Sequence, residues 1–299
     1  MASLYTHRDS NIRKTYFLFI VFLSVVISIG WIFSYIYDSS IILWIAVIFS
    51  SVMAIISYWY SDKIVLKMHH AEPVSMQNAP ELYRIVENLA ITAGLPLPKI
   101  YIVHEPAPNA FATGRDPKHA VVAVTDGLLQ KLNRTELEGV IAHELSHIGN
   151  RDMLVGTVAV ILVGFISILA DIFLRSLFYG GMRSRSRGQG QAVVMLLGIV
   201  FAILAPIAAT LMRLAISRRR ESLADASGAL LTRYPEGLAS ALIKISSDTT
   251  PMRFASNTTA HLWLEDPFKG KNRTSFFHKM FLTHPPTEDR VKALRGMKV

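Results

Sequence analysis

The sequence predicts an α+β membrane protein that is mainly α-helical, with four transmembrane helices and a cytoplasmic domain that contains a small β-sheet. Composition is the first observation behind this prediction: of the 299 residues, 51% are hydrophobic and only 18% are charged, whereas soluble domains contain about 25% charged residues. The second observation is that the apolar residues are concentrated in separate runs. The third is that the segments between these runs alternate between amphipathic helices and short strands.

Four runs without a charged residue cover residues 15–37, 39–61, 153–170 and 191–212. A helix of roughly 20 residues crosses the hydrocarbon core of a bilayer, so each run is long enough, the third only just. No small-residue cleavage site follows the first run, which predicts an uncleaved anchor and not a secretory signal peptide. This pattern excludes a disordered chain and argues against an ordinary soluble enzyme.

Basic residues predict how these helices are oriented in the lipid bilayer. The formal net charge is +9, and the basic residues that flank the runs are Arg8, Arg13, Lys14, Lys63, Lys67, Arg213, Arg218, Arg219 and Arg220. By the positive-inside rule, the N-terminus and both polar segments face the cytoplasm. No nucleic-acid-binding motif accompanies the arginines, so nucleic acid is not an expected partner.

One loop opposes this rule. Arg183, Arg185 and Arg187 lie between the third and fourth runs, on the side that the rule assigns to the outside. Either the first hairpin dominates the orientation and both runs span the membrane, which we favour, or the second pair enters the membrane without crossing it. Both alternatives return the chain to the cytoplasmic side.

The runs divide the chain into four segments. Residues 1–61 form an N-terminal transmembrane hairpin and residues 153–212 a second one, while residues 62–152 and 213–299 are the two parts of one polar domain. In the first part, the patterns predict a helix from Asn78 to Gly94, strands at 99–103, 109–113 and 120–124, and a further helix capped by Asn133 or Thr135.

That last helix carries the motif H-E-x-x-H, formed by His143, Glu144 and His147. The two histidines are four residues apart and share one helix face, so each can offer a ring nitrogen to one zinc ion. Glu144 can hydrogen-bond a water on that ion and take its proton, which makes the motif a metalloprotease signature. The alternative is a solvated histidine pair. Because the chain contains no cysteine, any metal must be held by histidines and carboxylates.

A catalytic zinc ion needs a third protein ligand. Met153 stands where the third histidine of the extended motif H-E-x-x-H-x-x-G-x-x-H would be, which excludes that variant. Glu221, on a later helix, is the best candidate, and Asp225, one turn further on, could hold a ligand histidine through its other ring nitrogen. The alternative is a solvated Glu221–Asp225 pair after an arginine cluster. A hairpin of two spans would return Glu221 to the side of His147, as a shared zinc ion requires.

Four motifs together resemble those of the HtpX-type membrane zinc metalloproteases, which are distant kin of the CAAX-prenyl endopeptidases. They are P-N-A-F-A-T-G at residues 108–114, H-E-L-S-H at 143–147, E-S-L-A-D at 221–225 and T-H-P-P-T-E-D-R at 283–290. The resemblance covers nearly the whole chain. It implies a zincin-like protease domain with one catalytic zinc ion, the ligands His143, His147 and Glu221, and Glu144 as general base. It also implies an enzyme of the bacterial cytoplasmic (inner) membrane that degrades misfolded or damaged membrane proteins under stress.

Peptide hydrolysis also needs a donor that stabilises the tetrahedral oxyanion. Within the motif at residues 283–290, we expect His284 to fill this role, with Arg290 as second choice, because Pro285 and Pro286 would present His284 on a stiff turn. The alternative is that His284 only caps the final helix.

A substrate could bind to the strand that precedes the H-E-x-x-H helix. An exposed edge strand formed by Asn109, Ala110, Phe111 and Ala112 would accept an unfolded chain as an additional strand, through backbone hydrogen bonds that tolerate many sequences. The alternative is a core strand of the small sheet.

Three competing functions follow from the same residues. An intramembrane protease with its metal helix inside the bilayer is disfavoured by the polar flanks Glu136, Glu138 and Arg151. A membrane scaffold or holdase with a structural zinc would need four protein ligands, whereas the sequence offers three. A prenyl-protein-type endopeptidase is the third alternative, for which four spans are few. The expected partners are misfolded membrane proteins and the lipid bilayer, and no oligomeric state is predicted.

Overall fold

A computed structural model describes residues 4–36, 38–165, 218–254, 259–268 and 285–297. It is mainly helical, with one small mixed sheet. The chain divides into two units. The polar unit comprises Met1–Lys14, Tyr60–Thr157 and Ile216–Val299, and the apolar unit comprises Thr15–Trp59 and Val158–Ala215.

The apolar unit begins with two long helices, α1 (Leu4–Ile36) and α2 (Ser40–Trp59). Both are long and apolar enough to cross a membrane, with candidate spans at Ser10–Tyr35 and Ser40–Trp59. Between them, Asp38 adopts a left-handed backbone conformation with φ 46°. Large apolar side chains on both helices are exposed, as contact with lipid requires, among them Tyr16, Ile20, Trp31, Ile41, Trp44, Ile45 and Ile48.

A third candidate span is of a different kind. Helix α7 (Met153–Phe165) follows helix α6 (Arg134–Asn150) after a bend of 84°, and the two together are long and apolar enough to form one broken span or a re-entrant loop. The described residues therefore contain two candidate spans, or three if this pair is counted. The predicted fourth run at residues 191–212 and the loop with Arg183, Arg185 and Arg187 lie outside the described residues, so the expected four spans stay a prediction.

The sheet has four strands in the order β1-β2-β4-β3. Their bounds are β1 (Glu72–Pro73), β2 (Lys99–Val103), β3 (Ala110–Thr113) and β4 (Val121–Thr125). Strands β2 and β4 are parallel, whereas β1 and β3 pair antiparallel to their neighbours. Three of the strands agree with the sequence prediction to within one residue. Strand β3 is an edge strand, as predicted for the substrate strand.

Helix α6 is the central element of the polar unit, which contains six other described helices. They are α3 (Ser61–Met68), α4 (Pro80–Thr92), α5 (Asp126–Lys131), α8 (Arg218–Thr232), α9 (Pro235–Ser247) and α10 (Thr287–Arg295). Helix α6 packs against strands β3 and β4 on one side and against α4, α8 and α9 on the others. Leu137, Ile141, Leu145 and Ile148 are buried in the core that results. The H-E-x-x-H motif therefore lies on a helix that is fixed from several directions.

Candidate metal centre

A capping box fixes the beginning of α6. The side chain of Asn133 accepts a hydrogen bond from the Glu136 amide (3.0 Å), and the Glu136 carboxylate accepts one from the Asn133 amide (2.9 Å). The same carboxylate is buried and also accepts hydrogen bonds from Ser240 and Lys244 on α9. Of the two residues predicted as cap, the structure uses Asn133. The start of the helix is thus tied both to its own cap and to a neighbouring helix.

The three residues predicted to bind metal lie together. Nε2 of His143 is 3.1 Å from Nε2 of His147. The Glu221 carboxylate approaches both rings, with Oε2 at 3.8 Å from His143 Nε2 and Oε1 at 3.7 Å from His147 Nε2. One ligand atom from each residue lies within 4.8 Å of the other two. The alternatives of a solvated histidine pair and a solvated Glu221 do not fit this arrangement, because all three side chains are buried or nearly so.

Close packing of α8 against α6 explains why Glu221 reaches the histidines. A Cβ atom added at Gly228 would lie 2.9 Å from the backbone nitrogen of His143. Because only a glycine leaves room at this distance, the two helices approach each other at the level of the first ligand. Glu221 and Asp225 precede Gly228 by about two turns and one turn of α8, so their side chains face the same region of α6.

The other ring nitrogen of His143 faces a carboxylate, as predicted. Nδ1 of His143 lies 2.9 Å from Oδ1 of Asp225. Arg290 donates two hydrogen bonds to the same carboxylate, from Nε (2.8 Å) and from Nη2 (2.7 Å). Burial alone would raise the pKa of Asp225, but the charge of Arg290 and the contact with His143 lower it to about 2. Asp225 is therefore an anion that holds His143 with its Nε2 directed towards Glu221.

Arg290 lies in a different place from the one expected of an oxyanion donor. Its side chain is buried, and its third hydrogen bond goes to the carbonyl oxygen of Leu264 (3.3 Å). The charge of Asp225 and the hydrogen bonds to it keep the pKa of Arg290 above its ordinary value in spite of burial. Arg290 thus reaches the metal centre through Asp225 and does not face a substrate. His284, the first choice for the oxyanion role, lies outside the described residues.

Glu144 is buried next to the ligands. The residue is 2% exposed, and its charge contributes to the raised pKa of His147. Burial alone would lower the pKa of His147, but Asp152, Glu221 and Glu144 together raise it to about 10. His147 therefore lies within reach of the charges of three carboxylates, an environment that favours a cation.

Asp152 is a residue of the centre that the sequence analysis missed. Helix α6 ends at Asn150, and the next residue, Arg151, has a left-handed backbone with φ 53°. The turn brings Asp152 back to the helix, where its amide donates to the carbonyl oxygen of His147 (3.3 Å) and its Oδ1 lies 3.0 Å from Nδ1 of His147. The only signal in the sequence is an aspartate five residues after the second histidine, just past the end of the helix.

The predicted substrate strand is an edge strand beside α6, but its edge is partly covered. The amide of Leu264 donates to the carbonyl oxygen of Ala110 (2.9 Å), and the side-chain amide of Asn109 exchanges hydrogen bonds with the backbone of Glu265 (2.9 and 3.2 Å). Phe111 is fully buried against Trp263, with ring centroids 4.8 Å apart. The expectation of a freely exposed strand at these residues is therefore not met.

In the part of the chain that the structure describes, the backbone of Ala112 has no hydrogen bond outside the sheet, and the residue is 7% exposed. In an antiparallel pair, alternate residues direct both backbone groups to the same side. Because the carbonyl oxygen of Ala110 points away from β4 to Leu264, the N–H and C=O of Ala112 point away from β4 as well. A further strand could therefore pair with Ala112.

Comparison with known proteins places this geometry in a family. The model of "Peptidase family M48" matches residues 76–298. A protease HtpX homolog of Caldanaerobacter subterraneus is 46% identical, covering 99% of each chain. One from Pyrococcus furiosus is 52% identical over 81% of this chain and 82% of its own.

Among solved structures, the crystal structure of S. mikatae Ste24p shares the fold. Its TM-score is 0.50 at 22% identity, and the match covers 89% of this chain and 62% of that one. The two apolar helices α1 and α2 agree with a membrane-bound protein, as do the relatives that match the whole chain. The chain therefore belongs to peptidase family M48 and is a membrane-bound metalloprotease.

Proposed function

We propose that the protein is a zinc-dependent endopeptidase that hydrolyses peptide bonds in misfolded or damaged membrane proteins at the cytoplasmic face of a bacterial inner membrane. The observation that carries this proposal is the convergence of His143, His147 and Glu221 beside a buried Glu144. The names of the relatives support a protease of this type. The substrate class and the role in quality control rest on the resemblance of the four sequence motifs.

Zinc suits this set of ligand atoms. In a tetrahedral site with ligands about 2.0 Å from the metal, any two ligand atoms are about 3.3 Å apart. The two histidine Nε2 atoms are 3.1 Å apart, and a different oxygen of the Glu221 carboxylate lies 3.8 Å from His143 and 3.7 Å from His147. Two imidazoles and one carboxylate form a common catalytic set that leaves the fourth position for water or substrate. Calcium would need six to eight oxygen ligands, and the group contains only one carboxylate.

Each residue then has a defined task. A bound zinc ion supplies a Lewis acid that polarises the scissile carbonyl and activates water for attack. His143, His147 and Glu221 hold it, and Asp225 fixes the ring of His143. Glu144 accepts the proton of the attacking water and later delivers it to the leaving amine. For the oxyanion we retain His284 as the proposed donor.

Substrate binding by strand addition fits this mechanism. An unfolded chain would lie along the outer side of β3 and exchange backbone hydrogen bonds with Ala112. Such bonds do not depend on the side chains of the substrate, so the enzyme could act on many damaged proteins. Because the amide of Leu264 already donates to the carbonyl oxygen of Ala110, the added strand would be short.

The basic residues support the proposed orientation. Lys63 and Lys67 lie in or beside α3, directly after the second apolar helix, and Arg218, Arg219 and Arg220 begin α8. The positive-inside rule assigns these positions to the cytoplasm. Both halves of the metal centre would then face the same compartment.

The decisive experiment compares the detergent-purified full chain with its Glu144→Gln variant. Cleavage of an unfolded protein and self-cleavage should both fall by about 10²–10⁴-fold, because the base is lost, whereas zinc content by elemental analysis should be unchanged. Glu138→Gln is the matched control, since Glu138 pairs with Arg134 on the surface of the same helix and should leave cleavage intact. Equal cleavage by the wild type and Glu144→Gln would refute the mechanism. Zinc binding without cleavage in the wild type would favour a holdase.

A further inference from the structure

The carboxylate of Asp152 is buried although it has few hydrogen-bond partners within the described ranges, which points to a role beyond the stability of the fold. Its side chain is 3% exposed, and a buried carboxylate is costly unless it is paired or hydrogen-bonded. Among the described residues, its one side-chain hydrogen bond is the 3.0 Å contact from Oδ1 to Nδ1 of His147. Its other oxygen, Oδ2, is buried without a hydrogen-bond partner in the part of the chain that the structure describes.

We propose that Asp152 is the positioning residue of the second metal ligand: it holds the His147 ring with Nδ1 protonated, so that Nε2 is free to bind the metal. The proposal rests on the metal centre proposed above. A histidine ligand that donates its second N–H to a carboxylate has its tautomer and ring orientation fixed and its basicity raised. The contact of Asp152 has this geometry, and Nε2 of the same ring lies towards Glu221 and His143.

The two histidines therefore have separate supports. Asp225 reaches His143 from helix α8 and is itself held by Arg290 on α10. Asp152 reaches His147 from the end of the same helix that carries the ligand. Because the supports come from different elements, the loss of one should affect one ligand and leave the other in place.

The turn at Arg151 makes the support of His147 possible. A left-handed residue after a helix reverses the chain direction over the last turn. At this point Arg151 has φ 53°, and the Asp152 amide bonds back to the carbonyl oxygen of His147. One residue thus contacts His147 twice, once through the backbone and once through the side chain, which limits the freedom of the carboxylate.

A buried cation accompanies Asp152. Arg220, which precedes the third ligand on α8, has a buried Nη1 without a hydrogen-bond partner among the described residues. The charges of Asp152 and Glu221 both act on Arg220 and oppose the effect of burial. Asp152 therefore lies near a buried cation as well as beside His147.

The test measures metal binding of the full chain in detergent. We expect Asp152→Ala to bind zinc about 10–100-fold more weakly in a chelator competition and to shift the visible absorption bands of the Co²⁺-loaded protein. Asp152→Asn keeps an acceptor for the Nδ1 proton and should recover most of the affinity. Arg151→Gly is the matched control, because glycine accepts the left-handed turn and the carboxylate stays in place. Melting of the metal-free protein separates loss of folding from loss of metal affinity.

Wild-type zinc affinity in Asp152→Ala, with loss of zinc in His147→Ala, would overturn the role of Asp152 and leave the metal centre intact. Retention of zinc in both His143→Ala and His147→Ala would instead overturn the metal centre. Should Asp152→Ala fail to fold, Asp152→Leu, which keeps the branched shape but offers no acceptor, decides: a zinc affinity and a Co²⁺ spectrum identical to those of the wild type would contradict the proposal, whereas weaker binding with shifted bands supports it.

Discussion

Arg290 forms a two-point ion pair with Asp225, and both side chains are buried. Asp225 in turn contacts His143, so the last described helix of the chain is connected to the first metal ligand through a single carboxylate. The pair explains what the C-terminal motif at residues 283–290 contributes. Its arginine keeps the partner of a ligand histidine ionised and in place, at a distance from any substrate.

Replacing Arg290 should therefore destabilise the protein. Arg290→Leu leaves the Asp225 charge buried without its cation, and we expect the free energy of unfolding to fall by about 3–5 kcal/mol, with weaker zinc binding. Arg295→Gln is the control on the same helix, since its pair with Glu236 is exposed, and should melt like the wild type. Thermal unfolding of the metal-free proteins in detergent measures both. Unchanged melting in Arg290→Leu would show that the pair does not stabilise the fold.

The ion pair between Lys131 and Asp248 should make the stability of the protein depend on pH. Burial alone would raise the pKa of Asp248, but hydrogen bonds from Lys131 and from the Thr250 amide lower it to about 2. A carboxylate with a lowered pKa stabilises the folded state above its unfolded pKa of about 3.9, and this contribution is lost as the pH falls from there towards 2. We expect Lys131→Met to melt below the wild type at pH 7 and the difference to narrow at pH 3. A difference that stays constant or widens at pH 3 would contradict this assignment.

The sequence predicts that the candidate metal ligands lie together, because the spacing of the two histidines is local. His143 and His147 are one helical turn apart, so any helix brings them to one face. Glu221 could be added because a third ligand is chemically required and because the carboxylate follows the fourth apolar run, which completes the second hairpin. The strands at 99–103 and 110–113 were also predictable, since alternation and turn residues mark them.

Other features depend on contacts that the sequence does not reveal. The role of Asp152 requires the left-handed backbone at Arg151. Arginine rarely adopts this conformation, so the sequence does not predict the turn. From the sequence, Arg290 is the second choice for the oxyanion donor because it lies in the same motif as His284, but the packing of α10 places its guanidinium on Asp225. The carbonyl oxygen of Ala110 accepts a hydrogen bond from the amide of Leu264, which lies more than a hundred residues later in the chain. The last two are tertiary contacts between distant segments, and the first depends on a local backbone conformation that the residue types do not signal.

The approach of α8 to α6 at Gly228 can be tested directly. Gly228→Ala places a Cβ atom 2.9 Å from the backbone nitrogen of His143, so α8 must move away and take Glu221 with it. We expect a loss of about 1–3 kcal/mol in stability, as for other overpacked cores, together with weaker zinc binding. Gly149→Ala on α6 is the control, because its nearest neighbour would be a side-chain carbon at 3.9 Å; it should match or slightly exceed the wild-type stability. Wild-type zinc affinity in Gly228→Ala would mean that this contact does not set the position of Glu221.

The substrate strand can now be tested at a single backbone group. A charge at Phe111 would unfold the core because this ring is fully buried against Trp263, so Ala112 is the better site. Ala112→Pro removes an N–H that points away from β4, in an edge strand where proline is tolerated. The loss of one hydrogen bond of about 1 kcal/mol should lower kcat/KM by roughly fivefold, mainly through KM, with zinc content unchanged. Ala112→Ser keeps the N–H and should cleave like the wild type. Cleavage by Ala112→Pro at the wild-type rate would exclude pairing of the substrate with this residue and leave the zinc mechanism untouched.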